Sequence, residues 1–113
     1  MQAVMNQNKL TVCLRIESGC LGKNGATHVE DFCLFAAKHT QHYYSDDIIW
    51  QYQPKEDKLL PEMDFYVKNK RLTRQQAQRY LKVATSIETL TQLEDNIQLK
   101  LIELVEQFRA LAR

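Results

Sequence analysis

A chain of 113 residues, 44% hydrophobic and 26% charged, has the size and balance of one globular domain that can bury a core without disulfides or a structural metal. Its formal net charge of +1 excludes a uniformly polycationic or polyanionic protein, and no apolar run approaches the roughly 18 to 20 residues that span a bilayer. Cys13, Cys20 and Cys33 form neither an even disulfide set nor a C-x-x-C pair, and no basic-then-apolar leader opens the chain, so the expected setting is the cytoplasm with reduced thiols and no membrane partner.

Residues 1–8 are polar without a period and are expected to fray. From Lys9 to Ile16 the pattern alternates strictly, with Leu10, Val12, Leu14 and Ile16 on one side, which predicts a half-buried strand over 9–16. All three glycines follow within Ser18–Thr27, spaced G-x-x-G-x-x-G. Thr27-His28-Val29-Glu30 then has the T-x-x-E form of a capping box, and Val29, Phe32, Cys33, Ala36 and Ala37 recur at helical spacing, predicting a helix over about 28–42. Alternation returns in Ile48–Gln53 and again in Met63–Lys68. The eight residues Pro54–Pro61 between them are too many for a tight turn, so the expectation is an antiparallel hairpin with a long loop.

The remaining third reads as helical, about 74–112. Thr73-Arg74-Gln75-Gln76 and Thr85-Ser86-Ile87-Glu88 repeat the capping-box form, which predicts two helices, the second beginning near Ser86. A competing pattern argues for one long helix: Tyr80, Val83, Ile87, Leu90, Ile97, Leu101, Leu104, Phe108 and Leu111 hold a single a/d register, and no Gly or Pro separates the segments. The expected class is therefore α+β: a small three-stranded mixed sheet (strands about 9–16, 48–53 and 63–68), a helix over 28–42 and the C-terminal helical region, in one domain spanning 1–113.

A helix over residues 87–112 would be about 39 Å long, whereas a compact domain of this length is only about 34 Å across. A three-stranded sheet cannot cover it, so a homodimer through Leu90, Ile97, Leu101, Leu104, Phe108 and Leu111 is expected, with a coiled-coil-like seam.

Charge is uneven along the chain. Residues 1–64 carry a net −3, residues 65–87 a net +6 with no acidic side chain, and residues 88–113 a net −2. Lys68, Lys70, Arg71, Arg74, Arg79 and Lys82 thus form a basic segment with Tyr66 and Tyr80 nearby, which marks nucleic acid as a possible partner through phosphate neutralisation. The run Leu72–Val83 resembles the first helix of winged helix-turn-helix proteins of the excisionase type, which implies a DNA-reading helix next in sequence. That next segment departs from the pattern: Lys82 stands in place of the turn glycine, and Glu88, Glu94 and Asp95 occupy positions where basic or amide side chains are expected. No family follows from twelve residues.

The glycine loop is a candidate anion site made of Gly19, Gly22, Lys23, Gly25 and Thr27, since a strand, a glycine turn and a helix N-terminus can present backbone donors to a phosphate. It meets neither the P-loop nor the dinucleotide spacing. Cys20 lies in the same loop with His28 eight residues on, the elements of a thiol enzyme, but Ala26 stands where a phosphate-holding arginine would be needed. His39 and His42 are the only histidine pair, and no zinc-ligand spacing surrounds them. No cofactor or metal is therefore expected. The leading expectation is a non-enzymatic protein-protein interaction or regulatory module that self-associates. Nucleic-acid binding by residues 68–82 is the alternative, and anion or thiol chemistry at 18–27 the second.

Overall fold

The computed structural model describes residues 9–22, 25–87 and 89–111. Its elements are β1 (Leu10–Ile16), a 3-10 turn (Ser18–Leu21), α1 (Gly25–Thr40), β2 (Ile48–Pro54), β3 (Met63–Val67), β4 (Lys70–Leu72), α2 (Arg74–Ala84) and α3 (Leu90–Leu111). The class is α+β with a mixed sheet, as the sequence predicts. The sheet, however, has four strands rather than three, in the order β2-β1-β3-β4.

β1 lies inside the sheet. It runs parallel to β2, with Leu10 opposite Ile48 and Leu14 opposite Tyr52, and antiparallel to β3, with Val12 opposite Phe65. The expected hairpin between 48–53 and 63–68 is thereby corrected, because these strands flank β1 on opposite sides. The long connection crosses the end of β1 and is tied to it at both of its own ends: the Lys55 N–H donates to the Ile16 carbonyl and the Arg15 N–H to the Glu62 carbonyl, each at 2.8 Å. A strand with apolar side chains throughout one face and polar neighbours to satisfy on the other gains most from having both edges paired.

The additional strand comes from a turn at the end of the predicted 63–68 strand. Lys68 and Asn69 both have positive φ, 53° and 66°, and the chain returns as Lys70–Leu72 with Phe65 opposite Leu72. Two consecutive left-handed residues fit a type I′ turn, whose twist matches that of paired strands.

One hydrophobic cluster holds the helices to a single face of the sheet. Leu10, Val12, Leu14, Ile48, Trp50 and Phe65 meet Phe32 and Ala36 of α1, Ala77 and Leu81 of α2, and Leu90, Leu93, Ile97 and Leu104 of α3. Its buried polar atoms are matched: Thr40 Oγ1 donates to the Ala36 carbonyl at 2.8 Å and shares a hydrogen bond with the Tyr52 hydroxyl at 2.8 Å, and Trp50 Nε1 donates to the Tyr43 carbonyl at 2.6 Å. By strand alternation Thr11, Cys13, Arg15, Gln51, Asp64, Tyr66 and Arg71 face the other way.

The helix limits also differ from expectation. α1 starts at Gly25 rather than His28 and ends at Thr40, so Thr27 and Glu30 are exposed residues of its first turns and not its cap. Gly25 makes this early start possible, because a Cβ there would sit 1.7 Å from the Ser18 carbonyl oxygen. The Thr73–Gln76 capping box forms as predicted, with Gln76 N–H donating to Thr73 Oγ1 at 3.1 Å and Thr73 N–H to Gln76 Oε1 at 2.8 Å.

The C-terminal region is two helices. Thr85 closes α2 by donating both its N–H and its hydroxyl to the Leu81 carbonyl, at 3.0 and 2.7 Å. Thr89 then receives the Gln92 N–H at 3.1 Å, and Gln78 Oε1 of α2 receives the Leu90 N–H at 2.7 Å. Short hydroxyl side chains competing for backbone partners make the break that no Gly or Pro announces. The predicted cap over Thr85–Glu88 gives way to Thr89, and Glu88 itself lies outside the described residues, as do residues 1–8.

Two outcomes follow from this packing. Gly25→Ala is expected to lower the unfolding free energy by about 2 kcal/mol, because backbone must move to admit the methyl group. Gly19→Ala, whose Cβ meets nothing within 4 Å, stays within about 0.5 kcal/mol of the parent, and urea denaturation of both variants checks the contrast.

Burial pushes the Tyr52 hydroxyl up to about 12, with the Thr40 hydrogen bond acting in the opposite sense. A folded-state value above the unfolded one, about 10, means stability that is complete below pH ~10 and is lost as pH rises toward 12. Tyr52→Phe is expected to flatten that alkaline decline in a series of thermal melts; an unchanged slope would contradict it.

Candidate functional site

The residues singled out from sequence fall in four separate places. On α3, Leu90, Ile97 and Leu104 are at most 1% exposed and belong to the chain's own core. Phe108 is half-buried with its ring 5.4 Å from those of Phe32 and Phe35, and Leu101 packs against the same cluster. Of the six seam residues Leu111 is 73% exposed, and Leu101 and Phe108 keep part of their surface accessible. The seam is thus directed into the core of its own chain, and a partner would have to meet a different side of α3.

That side carries Leu99 and Ile102, 64% and 58% exposed. Ile102 borders a groove of about 560 Å³ between the C-terminal half of α3 and the ends of β1 and β3. Leu14, Ile16 and Met63 line it from the sheet, and Leu101, Ile102 and Val105 from the helix. Glu17, Glu62 and Glu106 stand at its border together with Arg15 and Arg109.

The basic segment is dispersed by the fold. Arg71 lies on the helix-free sheet face, donating to Asp64 Oδ1 at 2.9 Å. Arg74 grips Glu94 of α3 with both terminal nitrogens, one contact at 2.6 Å, and reaches Thr91 Oγ1 at 3.3 Å. Lys68, Lys70 and Arg79 surround a groove of about 580 Å³ between β4 and α2, lined by Val67, Leu72, Tyr80 and Val83. Lys82 lines a second depression, on the α3 side of α2, together with Arg74, Arg79, Leu90 and Thr91. The six charges are thus divided between the far face of the sheet and the two sides of α2, with Arg79 reaching both of the latter.

Asp64, opposite Cys13 on the outward-facing side of β3, is an acid that strand alternation alone would leave at the surface. It is 5% exposed. Arg15 Nη1 contacts Asp64 Oδ2 at 2.6 Å and also donates to the Pro61 carbonyl at 2.9 Å, while Arg71 binds the second carboxylate oxygen. Arg15 Nε is buried without a hydrogen-bond partner. Cys13, opposite Asp64 in the ladder, has its thiol pushed up by burial, with Arg15 pulling it down and Asp64 adding to the rise. A thiol held protonated is a poor nucleophile at neutral pH. The cluster is a clamp between three strands.

In the glycine loop the donors turn inward. Gly22 N–H donates to the Gly19 carbonyl at 3.2 Å and Gly25 N–H to the Gly22 carbonyl at 3.1 Å, and Thr27 is exposed on α1. Gly22, at φ +94°, lies under the Arg109 guanidinium, where a Cβ would come within 3.4 Å of Nη2. Lys23 and the side chain of Cys20 lie outside what is described. The His39 ring lies 4.2 Å from that of Phe35, tilted by 44°, and His42 falls beyond the end of α1. Among the described residues no group of three or more His, Cys, Asp or Glu side chains gathers as a metal site would require, and no helix is long and apolar enough to cross a membrane.

No protein-family model, no curated protein and no solved structure matches the chain.

Removing one member of the clamp tests its role. Asp64→Asn leaves the 8%-exposed Arg15 side chain without its counter-charge and is expected to destabilise the fold by about 3 kcal/mol. Arg71→Ala, at a side chain 60% exposed, is expected to change stability by less than about 1 kcal/mol, and chemical denaturation distinguishes the two.

Proposed function

We propose that the chain is a non-enzymatic protein-protein interaction module that pairs with a second copy of itself through the outer flank of α3. The observation that carries this reading is Ile102. It stands exposed on a helix whose opposite side is buried, and it continues an apolar surface through Leu101 and Val105 to Leu14 and Met63 of the sheet. Covering such a surface is favourable by about 25 cal/mol per Å² removed from water.

A second copy fits the border of this groove. Glu62 and Glu106 line it together with Arg109, so both signs are present around one groove. A twofold axis sets each patch against itself, which lets the acid of one copy face the base of the other. A single-signed border would repel its own image. α3 spans 22 residues, about 33 Å, and offers a line of contact long enough for such pairing. An enzymatic reading has less behind it, since the buried Cys13 thiol is held protonated and the carboxylate of Asp64 is already taken by two arginines.

Size-exclusion chromatography with light scattering is expected to give about twice the 13.3 kDa chain mass. Ile102→Asp should return the mass to that of one chain with the circular dichroism spectrum unchanged, because the position is exposed in the monomer. Leu104→Asp is the wrong probe: at 1% exposure it unfolds the chain. A parent protein that stays monomeric at high micromolar concentration refutes the reading.

A further inference from the structure

The groove between β4 and α2 differs from the one along α3 in both lining and border. Val67, Leu72, Tyr80 and Val83 give it an apolar surface, and Val83 is 81% exposed at its rim. Lys68, Lys70 and Arg79 stand around it, no acidic side chain lines it, and none of the three forms a salt bridge among the described residues. Arg71 and Arg74, their neighbours in sequence, are by contrast bound to Asp64 and Glu94. The groove therefore keeps its positive charge where Arg71 and Arg74 lose theirs.

The geometry points to this groove as the docking site for a short acidic amphipathic segment of a partner protein, with apolar side chains seated on Val67, Leu72, Tyr80 and Val83 and carboxylates meeting Lys68, Lys70 and Arg79. Three cations of one sign raise the local concentration of an acidic ligand and select against a basic one. The apolar lining supplies the area term that charge alone lacks. The chain offers no such segment from its own beginning, for its first eight residues contain no acidic side chain.

Nucleic acid suits the groove less well. Three phosphate contacts would give a salt slope of only about −2 to −3, with weak affinity. Stacking platforms are also scarce, since Tyr80 is the single aromatic ring in the lining and is half-buried. A second copy of the chain is disfavoured by the same single sign of charge that makes the groove attractive to acid, because a twofold axis through it would bring Lys70 and Arg79 against their own images.

The test is fluorescence anisotropy on the full chain with three labelled probes of equal length: a Leu/Glu peptide with leucines at helical i, i+3, i+4 and i+7 spacing, a polyglutamate peptide, and oligo(dT). The Leu/Glu peptide is expected to bind at least about tenfold more tightly than polyglutamate at physiological salt. Lys70→Glu/Arg79→Glu and Val83→Asp should each weaken it by about tenfold or more, all at exposed positions that leave the fold intact by circular dichroism. Ile102→Asp should leave it unchanged, because that residue lies on a different element, so this inference stands or falls apart from self-association. Equal binding of polyglutamate reduces the groove to a diffuse charge effect, tighter binding of oligo(dT) assigns it to nucleic acid, a mass change in Val83→Asp assigns it to a second copy, and absence of binding by the Leu/Glu peptide removes it; each of these overturns the inference.

Discussion

Everything in this fold is arranged around β1, because an inner strand must satisfy two edges and two faces at once. Its edges are taken by β2 in parallel and β3 in antiparallel pairing. One face carries Leu10, Val12, Leu14 and Ile16 and recruits all three helices, so the hydrophobic drive is directed to a single side. Among the described residues no helix lies over the other face, yet Cys13 is only 7% exposed there and Arg15 is nearly buried. A guanidinium in such a place needs a carboxylate within reach. Asp64 provides one from β3, diagonal to Arg15 across the ladder, and Arg71 extends the contact to β4. The ionic clamp thus does for the bare face what the helices do for the covered one.

The elements legible in the sequence are those whose signal is local. Strict alternation marks β1, β2 and β3, helical spacing marks α1, and the Thr73–Gln76 box marks the start of α2 almost to the residue. What could not be read depends on partners far away in the chain. β4 rests on a two-residue turn whose residues are Lys68 and Asn69 rather than a glycine pair, so only Asn69 hinted at it. The position of β1 between β2 and β3 follows from which strand gains most by lying inside, a property no single strand displays. Asp64 looks like an exposed acid until the register sets it beside Arg15. The break between α2 and α3 is made by threonine hydroxyls and the Gln78 amide, residues that also occur within helices.

The same distinction governs the candidate sites. A run of six basic residues without an acid reads as one patch along the sequence, but a hairpin followed by a helix points successive residues in different directions. Arg71 leaves on the far face of the sheet, Arg74 turns toward α3, and Lys82 lies on the α3 side of α2, away from Lys68 and Lys70. Net charge in a window therefore overstates the field at any point on the surface. The heptad seam misleads in the converse manner. A regular a/d pattern records only that one side of a helix is buried, and a sheet satisfies it as well as a second helix does.

What identifies a surface for partners is then the apolar area that remains after intramolecular packing has been satisfied. Here that area divides between two grooves, and the charges at their borders separate them. Beside α3 both signs occur together, which permits a copy of the chain to meet its own image. Beside α2 only positive charge remains, which opposes such a pairing and favours an acidic segment from elsewhere. One small sheet, with its helices confined to one face, leaves α2 and α3 each with an exposed flank because four strands cannot cover both helices from side to side. The exposed flanks thus arise from the same constraint that buries β1. A module with two differently charged grooves can hold itself in a pair and present a second surface to another protein without either contact obstructing the other.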